Sequence, residues 1–258
     1  MKKRSLGIVE VLILLVGVSV AVGIVSHEYG RRQATRRLEP FVSITNELRS
    51  LEQKYGPRRD SLGGEEWIAR DFFQDKREGV FLDVGASRYK EGSNTYYLET
   101  VLGWSGVAVE PQTKFQADYK THRPRTIFVP VFAGSTSDAT AKLYIPERDA
   151  IASSDPTFAQ TGGAIVSAID TRTMRLDDIL DQAGITQVDF LSMDIELAEP
   201  EALAGFTLER YGVQLACIEG HPQVRQQIID YFTARGYPLL GKYLRADTDN
   251  LWFAPLKQ

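Results

Sequence analysis

The chain has 258 residues, 43% hydrophobic and 25% charged, with a net charge of -4; these values fit one or two globular domains and exclude wholesale disorder and fibrous repeats. One cysteine, Cys217, excludes a disulfide framework and any multi-cysteine metal site, and three histidines (His27, His122, His221) argue against a three-histidine zinc centre. Residues 1–40 hold seven Lys or Arg against three Glu, whereas residues 41–258 hold 23 against 31, and an acidic domain is a poor binder of phosphate backbones, so no nucleic-acid partner is expected.

After a basic start (residues 1–5), Leu6 to Ser26 reads LGIVEVLILLVGVSVAVGIVS, 21 residues with one charge, Glu10. A bilayer core takes about 20 apolar residues as helix, so a single-pass transmembrane anchor is expected. A cleaved signal peptide fits less well, because the apolar run exceeds roughly 15 residues and no A-x-A site follows. A buried core helix would not be apolar on every face. Lys2, Lys3 and Arg4 precede the run and Arg31, Arg32, Arg36 and Arg37 follow it, so flanking charge leaves orientation undecided.

Residues 27–64 form a basic juxtamembrane segment, a helix and a linker. Phe41, Ile44, Leu48, Leu51 and Tyr55 make an a/d stripe. It either packs on its own domain or forms a dimerising stalk through residues 41–55, a homodimer contact of marginal length. Gly56-Pro57 ends the helix, Arg58 to Gly64 is a polar linker, and a folded domain spans residues 65–258.

Within that domain, Glu65 to Gln74 has helical spacing. Four apolar runs end on acids: Gly79 to Asp83, Gly106 to Glu110, Val188 to Asp194 and Gln214 to Glu219. Helices are expected over Ser93 to Leu102, Lys114 to Thr121, Leu176 to Ala183, Pro200 to Phe206 and Gln223 to Arg235. Further strands are expected over Thr126 to Ala133, Tyr237 to Leu240 and Leu251 to Ala254. Thr136 to Arg172 is an oversized connection, read as a lid over the acceptor side or as an exposed insertion with a hairpin around Ala141 to Pro146. Strands alternating with helices imply a mostly parallel α/β sheet with helices on both faces, which binds ligands beyond its strand carboxyl ends. Asp83, Glu110, Asp194 and Glu219 are expected there together.

The first turn, Asp83-Val84-Gly85-Ala86-Ser87, lacks G-x-G-x-x-G, which counts against a dinucleotide oxidoreductase. An acid here repels a diphosphate but accepts hydrogen bonds from a cationic ligand. Glu110, at the end of the next strand, suits a ribose diol. A ligand with a ribose, positive charge and no diphosphate is implied, and S-adenosylmethionine has all three properties.

Phe81 to Ala86, Ser93-Asn94-Thr95-Tyr96, Gly103 to Gly106, Val109-Glu110-Pro111, Val188 to Glu196 with Ala198-Glu199, Ile218-Glu219, Gly236-Tyr237 and Asp249 before Trp252-Phe253 resemble the FkbM-type methyltransferases in order. The resemblance covers about residues 65–256. It implies a Rossmann-like class I fold and S-adenosylmethionine-dependent O-methylation of a sugar, glycan or small-molecule hydroxyl. It implies that Asp83, Gly85, Ala86, Ser93 and Asn94 border the cofactor, that Glu110 with Pro111 holds the ribose, and that Asp194 and Glu196 lie near the reacting methyl. Leu197 stands where the family's D-x-E-G-A-E pattern has Gly, and Ser87 to Gly92 is long and charged. These departures motivate an alternative, an inactive methyltransferase-fold assembly protein at a membrane.

Methyl transfer to a hydroxyl needs alignment and a proton acceptor. Asp194, Glu196, Glu199 and His221 are the candidates, Asp194 first; Glu196 and Glu199 can instead cap the helix at Pro200. Asp194, Glu196 and Glu219 would suit a hard divalent cation, although no dedicated ligand spacing is present. Cys217, inside an apolar strand, reads as a buried small hydrophobe. Cytosolic cofactor supply favours a domain facing the cytosol, with a supplied lumen as the alternative.

Overall fold

The structure, a computed structural model, describes residues 46–57 and 59–256. Leu48–Gln258 form one compact unit, so the folded part reaches back beyond Glu65. The apolar run 6–26 lies outside the described residues, and no helix among the described residues is long and apolar enough to cross a membrane.

The chain first forms a helix over residues 46–55 (α1), then α2 (Glu65–Phe73), β1 (Val80–Val84), α3 (Tyr96–Thr100), β2 (Ser105–Val109), α4 (Gln116–His122) and β3 (Thr126–Val129). A smaller sheet follows, made of β4 (Phe132–Ala133), β5 (Thr140–Pro146) and β6 (Ile165–Met174), with the short α5 (Pro156–Ala159) between the last two. The chain then returns through α6 (Leu176–Gln182), β7 (Phe190–Met193), α7 (Glu199–Ala204), β8 (Leu215–Glu219), α8 (Arg225–Thr233) and β9 (Asn250–Phe253).

The main sheet has the order β3-β2-β1-β7-β8-β9; all neighbours are parallel except β9, which runs antiparallel to β8. From β1 the chain steps outward to β2 and β3, then crosses back to β7 on the other side. The order therefore reverses between β1 and β7, which opens a crevice at their carboxyl ends. Side chains alternate along these strands. Leu82, Val84, Leu191, Met193, Ala216 and Ile218 enter one core, and Phe81, Phe190, Leu215 and Cys217 enter the other. Cys217 is buried, as its apolar strand implies. The described part of the N-terminal stripe packs on its own domain: Leu48 and Leu51 lie against the second core, and Tyr55 donates to Asp71.

Two expected strands differ. Thr126 to Ala133 breaks after Val129, and β4 joins the smaller sheet; Pro130 has no N–H with which to continue a ladder. Tyr237 to Leu240 makes only an isolated bridge, Leu239 to Phe253, on the outer edge of β9, and does not extend into a strand. The long connection is ordered: β5 and β6 form an antiparallel hairpin with an irregularity at Ile145/Pro146.

Candidate active site

The turn after β1 is pressed against the end of β7. Gly85 has φ +83, and a Cβ placed on it would stand 1.8 Å from the Asp194 carbonyl oxygen. Only glycine allows both the conformation and the approach. This contact forms one edge of a cleft that Glu110, Pro111, Gln112, Asp194 and Glu196 also border, with an apolar wall from Val109, Val131, Phe132 and Leu143.

Glu110 follows β2 directly and is 4% exposed. Its Oε2 accepts the Ser87 N–H at 3.1 Å and its Oε1 accepts the Gln112 N–H at 2.8 Å. Burial raises its pKa, and those N–H groups oppose the rise. The Gln112 side chain also acts on this carboxylate and lowers its pKa. Gln112 lines the cleft, and its Oε1 is buried without a hydrogen-bond partner. Gln112 Nε2 donates to the Asp149 carbonyl at 3.1 Å. Asp149, between β5 and β6, also takes Arg88 at 2.9 Å and Lys114 at 2.5 Å. The long connection thus closes over the Glu110 side of the cleft, clasped from both neighbouring loops.

Asp83 sits elsewhere. It lies within β1, and strand alternation turns it to the face opposite Leu82 and Val84, away from the cleft wall. Its Oδ2 accepts from Thr95 Oγ1 at 2.6 Å, and Thr95 Oγ1 in turn accepts from Arg123 Nη2 at 3.0 Å. Burial pushes its pKa up to about 6, with Thr95 and Arg123 pulling the other way. Ser93 accepts from the Thr95 and Tyr96 N–H groups, and Asn94 Nδ2 donates to Ser192 at 3.0 Å. Ala86 packs with Ala108, Phe115 and Tyr119. Asp83, Ser93, Asn94 and Ala86 therefore shape the turn from behind, whereas Gly85, Glu110 and Pro111 border the open cleft.

The third group lies past β7 and β8. Asp194 is open to solvent at the cleft floor yet densely ringed by protein; that desolvation raises its pKa, opposed by a hydrogen bond with Glu219 and by His221. His221 Nε2 lies 2.9 Å from Glu219 Oε1 and 3.1 Å from Glu196 Oε2. Phe158 packs edge-on against the His221 ring. Glu196 and Leu197 take φ +55 and +80, and Ser153 Oγ holds the Glu196 carbonyl at 2.6 Å. Leu197 thus keeps the left-handed backbone that glycine adopts freely, at a strain of roughly 1–2 kcal/mol, with its side chain against the core. Burial first, then the charges of Asp194 and Glu199, push Glu196 up to about 8. Glu199 is fully buried and rises to about 7, again through burial. Its Oε1 accepts the Ile195 N–H at 3.0 Å, and the Glu199 and Leu197 N–H groups also act on it, so it braces the strand-end turn from the first turn of α7.

The four expected acids thus split into three settings, one on each side of the crevice and one beneath it. Gln112, Asp149, Ser153 and Arg123 carry no motif of their own, and Thr95 sits in the Ser93 to Tyr96 motif without a role assigned from it. Only the position of Gln112, two residues past Glu110, was a signal.

The profile of the family described as the methyltransferase FkbM domain matches residues 83–239, more than half the chain. No curated protein sequence matches significantly. Among solved structures, a TehB-like SAM-dependent methyltransferase from Corynebacterium glutamicum is 15% identical, with 84% of this chain and 100% of that one covered and a TM-score of 0.43. The METTL16 MTase domain is 12% identical, with 75% and 66% covered and a TM-score of 0.38. A mostly parallel sheet with its order reversed at β1/β7, an acid after β2 and the ordered motifs from Asp83 to Leu239 agree with the profile, and the chain belongs to the FkbM methyltransferase family.

Proposed function

We propose that this methyltransferase uses S-adenosylmethionine to methylate a hydroxyl on a sugar, glycan or small molecule, and that residues 6–26 hold it at a membrane as a single-pass anchor with the domain facing the cytosol. The observation that carries the reading is the pair of buried acceptors in one cleft. Glu110 is a buried carboxylate at the cleft edge with one backbone N–H on each oxygen, and Gln112 Oε1 has no partner. A ribose diol and an adenine amino group are donors of that kind, and the apolar wall suits an adenine ring. The residues present fit the cofactor: Glu110 and Gln112 would hold its adenosine, Gly85 would let it approach the backbone, and Asp194 would lie on the side of its cationic centre. When bound, the cofactor supplies a methyl group activated for displacement.

The chain's own residues do the rest. Asp194 stands at the cleft floor with its pKa raised, which makes it a better proton acceptor for a hydroxyl near neutral pH. The β5–β6 connection excludes water from the Glu110 side, and Ser153 and Glu199 hold the turn carrying Asp194 and Glu196. Calorimetry with S-adenosylmethionine on the full-length chain tests the reading. Saturable binding is expected, weakened about 10- to 100-fold in Glu110→Gln, because hydrogen bonds to a charged group are worth about 1.5–3 kcal/mol. Equal affinity in the variant, or no binding by a folded sample, would overturn it. Binding without turnover on any hydroxyl acceptor would favour the assembly-protein alternative.

A further inference from the structure

We propose that Glu196, Glu219 and His221 form a binding site for one divalent first-row cation, such as Mn²⁺ or Zn²⁺, beside the cleft. Each residue offers one ligand atom, and all three atoms lie within 4.8 Å of one another. His221 Nε2 is 2.9 Å and 3.1 Å from its two carboxylate neighbours. Ligand atoms about 2.1 Å from a cation at right angles stand about 3.0 Å apart, so the imidazole already has cis-ligand spacing to both. Nε2 carries at most one proton, so holding both contacts needs either a second proton on a carboxyl group or a cation among the three.

A second observation concerns charge. Glu219 Oε2 is buried with no N–H donor, and the neighbour it meets is Asp194, another acid, with which it can bond only by sharing a proton. Glu199, fully buried, has an unpartnered Oε2, and its charge acts on both Glu196 and Glu219. Arg148 is the cation that acts on Glu196, and Phe158 covers the His221 imidazole face. A divalent ion would offset the mutual repulsion of the acids that act on Glu196 and Glu219. One imidazole with carboxylates is a donor set for Mn²⁺ or Zn²⁺ more than for Ca²⁺. Binding does not depend on the methyltransferase reading. The role does rest on it: an ion beside Asp194 would lower the pKa of an acceptor hydroxyl in the cleft, the proton passing to Asp194.

The test uses the full-length chain, stripped with chelator and dialysed, and Mn²⁺ followed by loss of its free electron paramagnetic resonance signal. One Mn²⁺ per chain is expected, displaced by Zn²⁺, with protons released on binding. Glu219→Gln and His221→Ala should each weaken it at least tenfold, while Glu201→Gln, an exposed acid on α7, should leave it unchanged. Circular dichroism on each variant confirms folding. No saturable Mn²⁺ or Zn²⁺ binding by the folded wild type, or binding that survives both site substitutions, overturns the proposal. Calorimetry with S-adenosylmethionine on the same samples separates the two claims: cofactor binding without Mn²⁺ uptake sinks the cation site alone, and Mn²⁺ uptake without cofactor binding sinks the cofactor reading alone.

Discussion

Replacing Gly85 by alanine attacks the contact that creates the cleft. The new Cβ would stand 1.8 Å from the Asp194 carbonyl oxygen, where anything under 3.0 Å forces a shift, so the turn after β1 and the end of β7 must part by more than 1 Å. Two costs add. A non-glycine residue at φ +83 costs about 1–2 kcal/mol, and forcing packed backbone apart costs a further ~1–3 kcal/mol. Gly184 separates them: it has φ +69 but nothing within 4 Å of an added Cβ. Gly184→Ala should therefore lower stability by only the first ~1–2 kcal/mol, and Gly85→Ala by about 2–5 kcal/mol. At about 2–4 °C per kcal/mol for a domain of this size, the expected falls in Tm are roughly 2–8 °C and 4–20 °C, read by differential scanning calorimetry. Misplacing Asp194 by about 1 Å should also reduce turnover on the order of 100-fold in Gly85→Ala alone. If the two variants melt together and keep equal cofactor affinity, the close approach of β1 and β7 does not shape this site.

Asp83→Asn tests the buried acid behind the turn. Its folded pKa of about 6 exceeds the ordinary carboxylate value, so the native state holds more protons between pH 4 and 6, and stability falls as pH rises through that window. The loss is roughly 3 kcal/mol at ~1.4 kcal/mol per pKa unit, and Asn removes it; the wild type should lose ground to the variant from pH 4.5 to 7 in thermal melts, and a constant gap would refute the assignment. Asp149→Ala should change global stability by no more than about 1 kcal/mol, since its partners Arg88 and Lys114 are half exposed. It should nevertheless speed limited proteolysis within residues 147–155 and S-adenosylmethionine release; unchanged rates would mean the clasp does not hold the connection closed. For the anchor, Leu15→Arg with Val18→Arg should cost about 5–7 kcal/mol of insertion and abolish carbonate-resistant membrane pelleting. A wild type that is already carbonate-soluble would end that part of the proposal.

The order of elements was legible in the sequence because each rests on local chemistry. Four apolar runs became β1, β2, β7 and β8, and their acids fell within one residue of the strand ends. Gly85, Glu110 and Asp194 were readable for the same reason: a turn needing φ above zero and an acid after a buried strand leave marks within a few residues. The strand expected at Tyr237 to Leu240 shrank to a single bridge on the outer edge of β9, because how far two segments run alongside each other is set by the path of the whole chain and not by local pattern.

Tertiary structure alone decided which acids work together. Asp83 precedes its strand end by one residue, and the two-residue alternation of side chains sends it to the Thr95 and Arg123 side. His221 meets Glu196 across 25 positions because β7 and β8 are parallel neighbours whose carboxyl ends coincide. The Asp149 carbonyl reaches the Gln112 side-chain amide only because the β5–β6 connection folds back over the loop after β2. Periodicity and turn chemistry act over a few residues and are written in the chain. Strand order, register and the path of a long connection are settled by burial of the whole sheet, and they gathered scattered carboxylates around one cleft with a cluster of acids and an imidazole beside it.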